Sequence, residues 1–260
     1  MKQLLKNTTK KLIVLAAKKL GYQIAKSQKK PAEMNDLYSK QNLLHTFYNL
    51  LLQANFQPVH IVDVGANHGT WTREILQFFP NANYSLLEPQ HWLKNSIEDL
   101  FANNEKIRFY GVGAGKQAGN LQFTLVDRDD SCNFLMTEQE AQEKGYKQIS
   151  VPVVTLNEFI LNNSLPVPDV IKIDGEGLDL EVLEGASDFF GKTEVFLVEA
   201  GIVNKGFQNS LINVTAFMDK QGYRLFEITD LNRPFENKVL WLVELAFVKK
   251  GGLVDNHTWL

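Results

Sequence analysis

The sequence predicts an α/β fold: a seven-stranded, mostly parallel sheet with an antiparallel last strand, preceded by an N-terminal helical extension. Three observations predict it. From Val59 onward short apolar runs alternate with helical patterns, as βα units do. The first of those runs enters a glycine-bearing turn, Gly65 to Gly69, and a helix follows at once. The last two runs are joined through Arg233-Pro234-Phe235-Glu236-Asn237, too short for a crossover helix, so they pair antiparallel.

The chain has 260 residues, 44% of them hydrophobic and 22% charged, ordinary values for a globular protein able to bury a sizeable core. Disordered, collagenous and disulfide-scaffold classes are excluded. The single cysteine, Cys132, cannot form an internal disulfide, and the expected location is the cytoplasm. The net charge of −3 is unevenly spread. Residues 1–30 carry nine lysines and no acid, which leaves the remaining 230 residues with 18 Lys+Arg against 30 acids, a net of −12.

Leu5, Leu12, Ala16, Leu20 and Ile24 recur at helical spacing, so residues 3–26 read as a basic amphipathic helix. Two uses compete: a cap packed on the main domain, or peripheral contact with an anionic membrane through residues 1–30. Leu12 to Ala17 is its longest uncharged apolar stretch, far short of a bilayer span, so neither secretion nor a transmembrane helix is expected. Ser27 to Asn35 reads as a linker, and Asp36 to Gln53 as a second helix. The domains are therefore placed at 1–53, helical decoration, and 54–260, the α/β domain.

Strands are expected at Val59–Val64, Tyr84–Leu87, Ile107–Tyr110, Val170–Ile173, Glu194–Val198, Arg224–Ile228 and Leu240–Val248. Helices fit between them at Thr70–Phe79, Trp92–Phe101, Leu178–Ala186 and Asn209–Gln221. Leu121–Val126 and Ser150–Val154 break the alternation and read as an inserted β pair around a polar loop, Asp127–Asn133.

Three segments carry chemistry. In Ile61-Val-Asp63-Val-Gly65-Ala66-Asn67-His68-Gly69 the turn forms a nucleotide-type cradle, but Asn67 and Thr70 stand where a G-x-G-x-x-G dinucleotide fingerprint needs glycines, which argues against a nicotinamide oxidoreductase. Asn67 still tolerates the left-handed conformation. The carboxylate of Asp63 is unsuited to a pyrophosphate and suited to a ligand with a cationic or hydroxyl-bearing end, as in S-adenosylmethionine. At the end of the second strand comes Leu87-Glu88-Pro89, where a carboxylate can accept hydrogen bonds from both ribose hydroxyls. The third segment, Val170 to Ile173, runs into Asp174-Gly175-Glu176-Gly177, with Asp179, Glu181 and Glu184 read as a solvated helix face, and the following strand ends in Glu199. Candidate general bases are Asp174 and Glu176 first, then His68 and Glu199. The acids at 174, 176 and 199 also suit Mg²⁺, but no D-x-D spacing fixes ligands, and no metal site is expected. Trp71, Trp92, Phe134 and Trp241 read as core fillers or as stacking surfaces for adenine or a sugar.

Over Val59 to Glu199 the sequence resembles the FkbM family of S-adenosylmethionine-dependent methyltransferases. The resemblance rests on Asp63-Val-Gly-Ala-Asn-His-Gly69, Glu88-Pro89-Gln90, Thr155-Leu-Asn-Glu158, and Val170-Ile-Lys-Ile-Asp174-Gly-Glu-Gly177 with Leu183-Glu-Gly185-Ala186. Gly175 stands where the family more often has a larger apolar residue, and Leu178-Asp179 for its usual Ala-Glu. The resemblance implies a Rossmann-like class I methyltransferase sheet, S-adenosylmethionine as donor, and O-methylation of a sugar, glycolipid or secondary-metabolite hydroxyl. Cofactor contacts are then expected from Asp63, Gly65, Ala66, Asn67, His68, Gly69, Glu88 and Pro89, and catalysis from Asp174 and Glu176. Acceptor choice is expected in Asp127–Tyr146 and the loop after Glu199. A membrane-associated, catalytically weak or inactive binding module is the alternative. A nucleic-acid partner is not expected of a body at −12.

Overall fold

The computed structural model describes residues 40–102, 104–203 and 208–259. The amphipathic helix and linker expected within residues 3–35 lie outside them. Residues 39–260 form one compact unit. The helix α1 (Lys40–Gln53), assigned from sequence to the N-terminal decoration, belongs to that unit. Its Leu44, Phe47, Tyr48 and Leu51 recur at helical spacing and share a core cluster with Ile61, Tyr84 and Leu86 of the sheet. A boundary at residue 53/54 would separate those side chains from the core they fill.

The main sheet holds β1 (His60–Val64), β2 (Asn83–Leu87), β3 (Ile107–Tyr110), β7 (Val170–Ile173), β8 (Val195–Gly201), β9 (Tyr223–Asn232) and β10 (Leu242–Lys249). Its order is β3-β2-β1-β7-β8-β10-β9, and all seven expected strands are present. The first five are parallel. β10 runs antiparallel to both neighbours and is inserted between β8 and β9, giving an α/β sheet of class I methyltransferase order. Helices cover both faces, so the central strands are apolar without alternation. Ile61 and Leu197 point into one core cluster and Val62, Val64, Ile173 and Val198 into the other.

The remaining helices are α2 (Thr70–Leu76), α3 (Glu98–Phe101), α4 (Glu138–Glu143), α5 (Leu156–Asn162), α6 (Asp179–Glu184) and α7 (Leu211–Lys220). The helix expected over Trp92–Phe101 is mostly a 3-10 turn, His91–Ile97, with only its last residues α-helical. Asn95 and Ser96, poor helix formers in mid-run, sit where the tighter winding occurs. The sequence reading missed α4 and α5, although both carry capping signals: a full capping box from Thr137 and Glu140, and Thr155 accepting from the Glu158 amide. The inserted β pair is present as β5 (Gly119–Leu125) against β6 (Lys147–Val154), and a short β4 (Gly113–Ala114) completes that small sheet.

Candidate active site

Strand register builds the site. Val64 lies opposite Leu87 on one side and Ile173 on the other, and Ile173 opposite Val198. The next residue of each strand, Gly65, Glu88, Asp174 and Glu199, therefore reaches the carboxyl edge at the same level, where open α/β sheets bind ligands. All four line a cavity of about 550 Å³. Its wall continues through Asn67, Pro89, Gln90, Gly175, Glu176 and Gly177.

Glu88 is 3% exposed, and each of its oxygens accepts a backbone amide, from Asn67 and from Gln90, both at 2.8 Å. Burial raises its pKa, and these bonds oppose the rise. Asn67 reaches the geometry required by taking a left-handed backbone, φ 45°. Its side chain and that of Gln90 both donate to the carbonyl of Asp129, at 3.1 and 2.9 Å, so the polar loop of the insert is tied across the Gly65–Gly69 turn. His68 bridges Asp129 at 2.8 Å and Ser96 at 2.8 Å, and is not among the residues lining the cavity. Ala66 is buried, and Gly69 N-caps α2 with φ 70°.

Asp63 is fully buried and outside the cavity lining. It accepts a hydrogen bond from Thr72 at 2.6 Å and pairs with Lys172 at 3.2 Å. Lys172, 4% exposed, also pairs with Asp174 at 3.4 Å and donates to the carbonyl of Gly65 at 3.0 Å. Burial disfavours its ammonium, but Asp63 and Asp174 outweigh burial and hold its pKa above the ordinary lysine value. Asp63 and Lys172 thus act beneath the turn, fixing its carbonyls, while Asp174 keeps a part-exposed carboxylate in the cavity.

Asp179 corrects the sequence reading. It is 2% exposed rather than solvated, caps the Gly175 amide at 2.8 Å, and accepts from Asn209 at 3.1 Å. Burial pushes its pKa up to about 7. Burial, with Asp174 and other acids nearby, also raises Glu176 and Glu199 well above the ordinary carboxylate range. Glu176 is held at φ 50°. Among the described residues no group of three His, Cys, Asp or Glu side chains is arranged to hold a metal ion.

The raised carboxylates set a pH dependence. Glu176, Asp179 and Glu199 hold protons in the folded chain at pH values where the unfolded chain has lost them, so stability falls as pH rises from the ordinary carboxylate range through about 7. Buried His60, shifted downward, acts in the opposite sense, one group against these three and Glu88, which is also raised. The expected result is a lower urea midpoint at pH 7.5 than at pH 5.5; a higher one would show that the three do not share a buried, charged surround.

The rest of the cavity wall combines the insert with the β9–β10 hairpin. Arg128, Asp130, Ser131, Asn133, Phe134 and Leu135 come from the insert, and no residue of 200–203, the described start of the loop after Glu199, lines the cavity. Asp230, Asn232, Pro234, Phe235, Trp241 and Leu242 come from the hairpin, which the sequence reading did not place at the site. The signals were Trp241, already read as a possible stacking surface, and the polar stretch Asp230–Pro234 at the end of β9. Trp241 stacks edge-on with Phe235, their centroids 5.1 Å apart, while Trp71 is a core residue. Cys132 is buried beside Phe123 and Val151, and burial raises its thiol pKa.

The sequence profile described as "Methyltransferase FkbM domain" matches residues 63–225. The chain belongs to this family. As a member of the FkbM methyltransferases it uses S-adenosylmethionine as its cofactor. Solved structures to which it is similar include methyltransferase FkbM from Methylobacillus flagellatus, 16% identical, covering 72% of this chain and 43% of that one with a TM-score of 0.48. They also include M. capricolum TrmK with S-adenosyl-homocysteine, 12% identical, covering 77% and 67% with a TM-score of 0.43. A third is a Burkholderia thailandensis N1-methyltransferase with bound 1,6-didemethyltoxoflavin and S-adenosylhomocysteine, 9% identical, covering 81% and 79% with a TM-score of 0.42. The chain spans less than half the length of the first. No curated protein matches it. No helix among the described residues of this FkbM-family chain is long and apolar enough to cross a membrane.

The donor set fits the cofactor. An acid-lined cavity suits a ligand carrying a sulfonium and an amino group, and Glu88, which lines it and whose oxygens each keep acceptor capacity beyond one amide bond, suits a ribose diol.

Proposed function

We propose that this protein is an S-adenosylmethionine-dependent O-methyltransferase that transfers a methyl group to a hydroxyl of a sugar, glycolipid or secondary metabolite. The observation that carries the reading is the alignment of Gly65, Glu88, Asp174 and Glu199 along one sheet edge, all lining one cavity with Glu176. When bound, the cofactor supplies an electrophilic methyl on a sulfonium. The chain's own groups then bind and orient. Glu88 accepts the ribose hydroxyls, Pro89 and the turn Gly65–Gly69 shape the cofactor wall, and Lys172 with Asp63 keeps that turn rigid. Alignment of nucleophile and methyl is the main contribution, up to ~7–11 kcal/mol in favourable cases.

Asp174 and Glu176 take the proton of the acceptor hydroxyl, a role worth about 10²–10⁴-fold. Both carboxylates line the cavity, and Asp174 pairs with Lys172 at 3.4 Å. Residues 1–30 make the proposed contact with an anionic membrane. Co-sedimentation with anionic vesicles checks it: full-length protein is expected in the pellet and residues 36–260 in the supernatant, and equal partition removes the membrane role.

Calorimetric titration with S-adenosylhomocysteine, followed by transfer of a labelled methyl to hydroxylated acceptors, tests the function. Glu88→Ala is expected to weaken S-adenosylhomocysteine roughly 10–100-fold, since hydrogen bonds to a charged group are worth about 1.5–3 kcal/mol. Unchanged affinity would remove Glu88 from the cofactor site. Tight cofactor binding with no transfer to any hydroxylated acceptor, and no loss in Asp174→Asn, would favour the binding-module reading.

A further inference from the structure

The turn after β7 carries Asp174 and Glu176 in a conformation that its own residues do not secure. Glu176 takes a left-handed backbone, φ 50°, and Gly177 follows at φ 100°. A non-glycine residue in that region is strained and persists only where its surroundings fix it. The helix α6 begins directly after this turn, and Leu178 at its N-cap has no side chain able to accept from the helix's first amides. Asp179 supplies part of the support by accepting from the Gly175 amide at 2.8 Å, and the insert adds one bond, from the Phe134 amide to the Glu176 carbonyl at 3.4 Å.

The rest comes from Asn209, which is buried in the loop between β8 and α7. Its Nδ2 donates to the Gly177 carbonyl at 2.6 Å and to Asp179 at 3.1 Å, and its Oδ1 accepts from the Leu180 amide at 3.1 Å. Both donors are spent on the turn, so Asn209, which does not line the cavity, has none left for a ligand. Its own backbone is fixed in the same way: its carbonyl accepts from the Gly201 amide at 2.8 Å, and Ser210 forms a parallel bridge with Gly201. Gly201 stands two residues after Glu199 on β8 and pairs with Leu242 of β10, and both Glu199 and Leu242 line the cavity. One buried amide therefore joins the Asp174–Asp179 turn to the β8 wall of the same cavity.

Resting on the methyltransferase reading above, we propose that Asn209 is a positioning residue for methyl transfer: it holds the turn that aims Asp174 and Glu176 at the acceptor, and it fixes that turn relative to Glu199. The loop after β8 thus acts on the site through a hydrogen-bonded amide rather than by lining it. Transfer depends on such placement, since a misplacement of about 1 Å costs about 10²-fold. Without the amide, the Gly177 carbonyl, the Leu180 amide and Asp179 lose their shared partner, and the left-handed turn at Glu176 relaxes toward solvent.

Carboxyl NMR of the full-length protein, isotopically labelled at its glutamate side chains, tests the proposal. Burial first, and then Asp174, Glu199, Asp179 and Glu88, hold Glu176 above the ordinary carboxylate range, and Glu176→Gln assigns its signal. In Asn209→Ala and the milder Asn209→Ser, each verified as folded by circular dichroism, the Glu176 midpoint is expected to fall by at least about one pH unit as the turn opens to water. Glu140, which faces Thr137 on α4, is expected to stay where it is, and S-adenosylhomocysteine affinity by calorimetry to remain within about threefold of the unmodified chain. In that unmodified chain the side-chain amide protons of Asn209 are expected to exchange slowly and to shift as Asp179 titrates at about 7, a signature that needs no variant. An unmoved Glu176 midpoint in a folded variant, an equal shift at Glu140, freely exchanging Asn209 amide protons, or a loss of S-adenosylhomocysteine affinity as large as that of Glu88→Ala would each overturn the proposal. If S-adenosylhomocysteine does not bind the unmodified chain, the methyltransferase reading itself fails, a result separate from the Glu176 titration.

Discussion

Lys172→Met is expected to destabilise the protein by about 3–5 kcal/mol, the range for breaking a buried ion pair by removing one partner. Lys172 contributes the cation that faces Asp63, which is fully buried and otherwise held by Thr72. Removing it leaves an uncompensated carboxylate beneath the Gly65–Gly69 turn, takes from the Gly65 carbonyl its lysine donor, and leaves the Val64 carbonyl with the Asp174 amide alone. Against a total stability of about 5–15 kcal/mol, such a loss lowers the urea midpoint by a large fraction. Asp63→Asn in the same chain removes the stranded charge while its amide oxygen still accepts from Thr72, so the double variant is expected to recover part of the loss. A single variant within about 1 kcal/mol of the parent, or a double variant worse than either single, would show that Asp63 and Lys172 do not act as a pair.

The second large effect is expected at Gly65. Its φ of 72° lies in the left-handed region, and a Cβ there would collide with the backbone carbonyl oxygen of Asp174. The conformation alone costs a non-glycine residue about 1–2 kcal/mol. The collision adds more, because the obstructing atom belongs to the end of β7 and cannot rotate away. Gly65→Ala is therefore expected to move the carboxyl ends of β1 and β7 apart and to weaken S-adenosylhomocysteine at least 100-fold, or to prevent folding. Gly69→Ala gives the comparison: it has nearly the same φ of 70°, but the added Cβ meets Leu100 Cδ1 at 2.8 Å, the far end of a flexible side chain. The smaller loss is expected there in both thermal midpoint and affinity, and the reverse order would refute the backbone-collision argument.

Much of this site was readable before any fold was known. The apolar strands, the turn after Val64, Glu88 after the second strand and Asp174–Glu176 after the fourth are local features, each written in a few consecutive residues. So was the insert, because Leu121–Val126 and Ser150–Val154 interrupt the βα alternation. Errors arose where a residue's environment depended on distant chain. Asp179 has the spacing of an exposed helical acid, yet Asn209 comes over it from 30 positions away and the helix N terminus is closed against it. Asp63 reads as a cofactor contact, but Lys172, 109 positions later, turns its carboxylate into an internal support.

The sequence by itself determined the order of elements, the class of fold and the three turns at which ligand-facing groups occur, since periodicity, glycine and capping act over one or two turns of chain. Only the tertiary structure decided how the acids divide their roles. Register placed Glu88, Asp174 and Glu199 at one level, the insertion of β10 between β8 and β9 brought Glu244 and Asp230 into line with Glu199, and the hairpin carried Phe235 and Trp241 to the same cavity. The physical reason is that burial and charge pairing depend on neighbours brought together by folding, and a carboxylate's protonation and partner follow from those neighbours rather than from its place in the chain.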